Sequence, residues 1–165
     1  MNENYIMLNG KRVDLTDEQI EKLGLKVEKK DYFKREINQK YYYIAAKGDV
    51  EPSKDDNLQV DNKCYNTANY CTDKTLLQQR AYHETLSRLL WRFSMQNDGD
   101  KIDWSNSNQT KYVISRNCVT NNFEIESFYN WKINGLTYFH SYTIAQRALD
   151  EIVLPFMKEH PDFVW

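Results

Sequence analysis

Tyr70-Cys71-Thr72-Asp73-Lys74-Thr75-Leu76-Leu77-Gln78-Gln79-Arg80 is answered 68 residues further on, Tyr70 to Tyr138, by Tyr138-Phe139-His140-Ser141-Tyr142-Thr143-Ile144-Ala145-Gln146-Arg147. In each stretch an aromatic residue leads into an Asp or Ser that can cap a helix, and an apolar-periodic run follows. Upstream of each stands a lysine-led strand, Lys40-Tyr41-Tyr42-Tyr43-Ile44 in one and Lys111-Tyr112-Val113-Ile114 in the other. The economical reading is one β-rich unit ending in a long helix, used twice. The expected units are residues 40–98 and 102–160, with an N-terminal segment over 1–30, all within one domain spanning 1–165. No catalytic signature accompanies the repeat.

A chain of 165 residues buries enough surface for a core without staples. Its net charge of −2 lacks the basic excess of a non-specific nucleic-acid binder and the dense carboxylates of a DNA mimic. Hydrophobic residues at 41% and aromatics at 14% are too many for a disordered chain. Tyrosine is abundant, at 12, against 5 glycines and 3 prolines. Codon bias of an AT-rich genome accounts for that, as does a Tyr- and Asn-rich binding surface. The three cysteines, Cys64, Cys71 and Cys118, cannot all pair. With no basic, apolar leader and no membrane-length apolar run, a reducing, intracellular location is expected.

Along the chain, Tyr5-Ile6-Met7-Leu8 and Arg12-Val13-Asp14-Leu15 flank Asn9-Gly10, a strong hairpin signal because both turn positions need positive φ. Thr16 with Gln19 forms a capping box for a short helix that Gly24 ends. Residues 25–40 read as a strand and an exposed connection. Residues 51–63 form the most polar stretch, expected as a mobile loop. A long helix is expected from Asp73 to Asn97, with Tyr82, Leu86, Leu89, Leu90 and Phe93 facing the core and Arg80, Glu84, Arg88 and Arg92 opposite. Strands are expected at 102–104, 112–115 and 123–128, and at the end of the segment closing with Tyr138-Phe139. The last helix starts at Ser141 and must kink or end at Pro155, which has no amide proton to donate. The order of elements implies an α+β fold, with an antiparallel sheet carrying helices on one face.

Reactive motifs fail on spacing. His83-Glu84 would need a second histidine at position 87 for the zinc-protease pattern, and Ser87 stands there. Cys64 and Cys71 are too far apart for one zinc knuckle, so buried free thiols are the plainer account. His83, His140 and His160 have no local nucleophile or orienting group, and His160 lies beside a tail expected to fray. Glycine is too scarce for a phosphate cradle. The chain therefore reads as non-enzymatic, with no cofactor or metal implied.

Two features read as contact surface. Trp91 falls on the polar side of the long helix, with Leu77 and Met95 close in angle and Arg88 alongside. Such a second apolar strip is covered by another element or meets a partner, since Trp, Met and Arg are enriched at interfaces. The run from Asp103 to Lys111 supplies Trp104 as a plate, the amides of Asn106 and Gln109, and the Lys111 cation. It is a solvated hairpin loop, or a site that stacks on a base and reads its edge. In the second case Lys111 and Arg116 would supply phosphate contacts.

Taken in order, Leu8-Asn9-Gly10-Lys11 with Thr16-Asp17-Glu18-Gln19, the Tyr41–Ile44 strand, Asp61-Asn62 through Asn69-Tyr70, Ile102-Asp103-Trp104-Ser105-Asn106, Lys111-Tyr112-Val113-Ile114 and Tyr138-Phe139 through Ala148 give the chain a family resemblance. It resembles small accessory proteins of phages and prophages of low-GC Gram-positive bacteria. That resemblance implies a stoichiometric binding protein in the cytoplasm of an infected host. The expected action is counter-defence of the anti-CRISPR type, by blocking a host immune protein or nuclease complex or by holding its nucleotide signal. The alternatives are a phage regulatory protein that touches nucleic acid through Arg80, Arg88 and Arg92, and a virion or assembly component. A homo-oligomer is compatible with the Trp91 strip, whereas direct DNA binding is disfavoured by the interleaved carboxylates.

Overall fold

The computed structural model describes residues 5–24 and 31–165. The chain divides into two compact units, residues 1–32 and 33–165. The expected strand within 25–40 lies partly outside the described residues, and positions 31–39 carry no strand.

In the first unit, β1 (Tyr5–Leu8) pairs antiparallel with β2 (Lys11–Asp14), with Leu8 opposite Lys11. Asn9 and Gly10 sit at φ 49 and 76, the two positive values this tight turn demands. Helix α1 (Asp17–Lys22) opens on the expected capping box: Gln19 N donates to Thr16 Oγ1 (3.3 Å), and Thr16 N donates to Gln19 Oε1 (2.9 Å).

The second unit contains β3 (Lys40–Ile44), β4 (Val50–Lys54), α2 (Gln59–Asn66), α3 (Lys74–Gln96), β5 (Lys111–Arg116), β6 (Phe123–Phe128), α4 (Tyr142–Ala148) and α5 (Leu154–Glu159). The class is α+β. Among the described residues, three separate two-stranded hairpins form in place of one sheet, β1-β2, β3-β4 and β5-β6. The strand expected at 102–104 is a loop that follows a 3₁₀ turn at Gly99–Lys101.

The two stretches share a bridge and a helix cap. Tyr42 and Cys71 exchange backbone hydrogen bonds (2.8 and 3.1 Å), and Tyr112 and Phe139 do the same (3.0 and 2.8 Å). Each bridge is followed two residues later by a helix cap: Asp73 accepts from Leu76 N (3.0 Å) and Ser141 from Ile144 N (3.3 Å). Superimposing the bridges sets Lys111 opposite Tyr41 rather than Lys40, because Tyr42 and Tyr112 are the equivalent residues. Both Tyr41 and Lys111 are fully buried. Pro52, opposite Tyr42 in β4, costs the hairpin nothing, since Tyr42 turns its N–H and C=O toward Cys71.

Residues 51–63, expected as a loop, form β4 and most of α2. Their polarity is spent internally. Arg35 grips both carboxylate oxygens of buried Asp55 and donates to Asn62 Oδ1 (2.6 Å). Buried Asp61 accepts from Tyr41 Oη (2.8 Å), Leu58 N (2.9 Å) and Asp56 N (3.1 Å). Tyr70 stacks on Tyr41 at 4.2 Å, and its hydroxyl is buried. Burial above all, together with the Asp55 charge, pushes that hydroxyl up to about 12.

The main core joins α3, the β5-β6 hairpin and the C-terminal helices through Leu86, Leu90, Ile114, Phe139, Val153 and Phe156. Phe123 and Ile125 face it from β6, as the alternation predicts. Pro155 does not end the last helix. A π turn at Leu149–Val153 shifts the hydrogen-bond ladder, Leu154 N reaching back to Leu149 O, so Pro155 falls in the first turn of α5. A missing donor is harmless there. The tail is also anchored rather than frayed. Gln79 bonds Asp162 O and Val164 N, each at 2.8 Å, Phe163 is buried, and the His160 ring lies 4.4 Å from both Tyr82 and Phe156.

Candidate functional site: a tryptophan-lined groove

The apolar strip on the back of α3 is covered at one end and bare at the other. Leu77 is 2% exposed and so belongs to the core rather than to a contact surface. Fourteen residues on, Trp91 is 61% exposed, with Met95 also exposed. Helical angle alone places these three together. Packing buries Leu77 and leaves Trp91 exposed.

Trp91 and Met95 line a cleft of about 150 Å³ with Trp104, Ile102, Lys132 and Leu136. Its far wall is the segment 129–137, to which the sequence reading assigned no function. That segment carries Trp131, 75% exposed, and the exposed Ile133 and Leu136. A Trp-Lys-Ile run in a connection between a strand and a helix cap is the signal that could have revealed it. Trp91 also borders a second cleft of about 360 Å³ with Lys47, Arg88 and Arg92.

The groove floor is closed by fixed polar contacts. Buried Ser94 donates from Oγ to the Tyr138 carbonyl (2.6 Å), tying α3 to the second repeat. Gly99 is required beneath the cleft, since a Cβ there would lie 2.5 Å from Ser94 Oγ and 2.6 Å from the Ser94 carbonyl. Tyr138 packs edge-on against Trp104 at 4.8 Å, and its hydroxyl accepts from Ile133 N (2.8 Å).

Lys111 does not reach out toward a phosphate. Its buried ammonium donates to Asn106 O (2.8 Å) and Tyr129 O (3.2 Å), joining the 102–110 and 129–137 segments, and stands 5.5 Å from the Trp104 ring centroid. Lys132 stands 5.1 Å from the same ring. The amides nominated for base reading are engaged within the loop, Asn106 through its oxygen alone. Asn106 Oδ1 accepts from Asn108 N (2.9 Å), while Gln109 accepts from Asp103 N (2.6 Å) and donates to Lys101 O (3.0 Å). Asp103 is held below the usual carboxylate range by hydrogen bonds from Ser105, with Lys111 adding to the effect. Arg116 is not part of the groove. It lies over the Phe123 ring (5.5 Å) and reaches Asn121 O (3.4 Å) at the β5-β6 turn.

Of the nine residues nominated from the sequence, Trp91, Met95 and Trp104 share one cleft, and Arg88 borders the adjoining one. Asn106, Gln109 and Lys111 support its wall, whereas Leu77 and Arg116 stand elsewhere. Cys64, Cys71 and Cys118 are free thiols, half-buried, buried and exposed respectively. Among the described residues, no helix is long and apolar enough to cross a membrane. No protein-family model, curated protein or solved structure matches the chain.

Proposed function

We propose that the protein acts without catalysis, as a stoichiometric blocker that seats a partner protein on the groove between α3 and residues 129–137. One observation carries this reading: Trp91 and Trp104 line a single cleft, with Trp131 exposed in the segment that forms its wall. Large aromatic side chains beside Met and Arg are the usual energetic centre of a protein interface. Engagement of Asn106 Oδ1 and the Gln109 amide within the loop favours a protein over a nucleotide ligand, because base recognition needs free donors and acceptors beside the stacking plate. Within this reading, the phage-like sequence pattern points to a bacterial immune component, such as a nuclease complex, as the protein blocked.

Affinity capture of tagged protein from phage-infected host cells, followed by mass spectrometry, tests the assignment. Recovery of an immune effector by the wild type, and its loss with Trp91→Glu, is the expected result. Recovery of capsid or tail proteins, or retention of the effector by Trp91→Glu, would overturn it.

A further inference from the structure

Building on that reading, we infer that the segment seated on the groove is acidic and inserts one bulky apolar side chain between Trp91, Met95, Trp104 and Leu136. The cleft of about 150 Å³ matches a single ring of benzene's size. Its lining is mainly apolar, and the Ser94 hydroxyl is committed to the Tyr138 carbonyl. An aromatic or branched aliphatic side chain fits that environment, and a polar one would lose its hydrogen bonds on entry.

Among the described residues, the charged side chains that line the two clefts are all basic: Lys47, Arg88, Arg92 and Lys132. Lys47 is paired with Asp49 and Glu51 (2.9 and 3.8 Å), and Arg88 leans toward Glu84 at 3.9 Å. Arg92 and Lys132 form no ion pair among the described residues, one beside each cleft. Two unpaired cations flanking an apolar notch match carboxylates placed on either side of an apolar anchor. A single nucleic-acid strand would supply anions too. Its base edges, however, would meet loop amides already bonded within the chain.

The probe is a fluorescein-labelled glutamate-rich peptide with one central tryptophan, titrated with the full chain and read by anisotropy. Saturable binding that weakens with added salt is expected. Replacing the central tryptophan by serine, or combining Arg92→Glu with Lys132→Glu, should each weaken it by about tenfold or more. A lysine-rich peptide with the same tryptophan should not bind. Absence of binding by the glutamate peptide, equal binding of the lysine peptide, or preference for oligothymidylate would each overturn the inference. Capture from infected cells separates this from the parent reading. A partner kept by the double charge reversal but lost with Trp91→Glu sinks only the acidic segment, whereas one kept by Trp91→Glu sinks the groove.

Discussion

The buried Lys111 ammonium stands 5.5 Å from the Trp104 ring and bonds one carbonyl from each of the two segments that wall the groove. It is the fastener of the candidate site rather than a part of its surface. Lys111→Met keeps most of the apolar stem but leaves the Asn106 and Tyr129 carbonyls without their donor. A loss of about 1–3 kcal/mol is expected in urea denaturation. Faster amide exchange across residues 102–110 and 129–137 should accompany it, and unchanged exchange there would contradict the fastening role.

Leu77 and Trp91 lie on one helical strip and should respond oppositely to truncation. Leu77→Ala opens a cavity in a buried position and should cost about 2–5 kcal/mol. Trp91→Ala removes an exposed side chain and should stay within about 0.5 kcal/mol of the wild type. Thermal unfolding of both variants by circular dichroism checks the contrast. Comparable losses in the two would mean that Trp91 is structural.

Gly99 is tested by adding a single methyl. In Gly99→Ala the new Cβ meets backbone as well as side chain at Ser94, and backbone cannot rotate away. Overpacking of this kind costs about 1–3 kcal/mol, read as a lower urea midpoint. A wild-type midpoint would show that the 3₁₀ turn yields without strain.

Asp55 gives the protein an acid-sensitive anchor. Hydrogen bonds from the Arg35 guanidinium hold its carboxyl below the ordinary value, against the opposing effect of burial. A folded-state value lowered in this way contributes stability above the unfolded value of about 3.9, and that stability is lost as pH falls through the folded value. Urea midpoints should therefore drop as pH is lowered below about 4. Asp55→Asn should be less stable than wild type at neutral pH and lose less on acidification. Parallel pH profiles for the two proteins would remove Asp55 from this role.

Local chemistry was legible wherever it is self-contained. The Asn9-Gly10 turn, the Thr16 capping box, the Asp73 and Ser141 caps and the β6 alternation each depend on residues a few positions apart. Short-range geometry satisfies them whatever the rest of the chain does. The paired Tyr70 and Tyr138 stretches were readable for the same reason, since in each the bridging residue and the helix cap lie two positions apart, and both recur 68 residues on.

Tertiary structure alone decided what became of polar and apolar side chains with distant partners. Residues 51–63 look like a solvated loop until Arg35 and Tyr41 arrive to satisfy Asp55 and Asp61. Leu77 and Trp91 lie close in helical angle, yet packing buries one and leaves the other bare. Lys111 reads as a free cation until two loop carbonyls close around it. Sequence spacing determines which groups share a turn or a face, but the burial of that face is settled by packing between elements far apart in the chain.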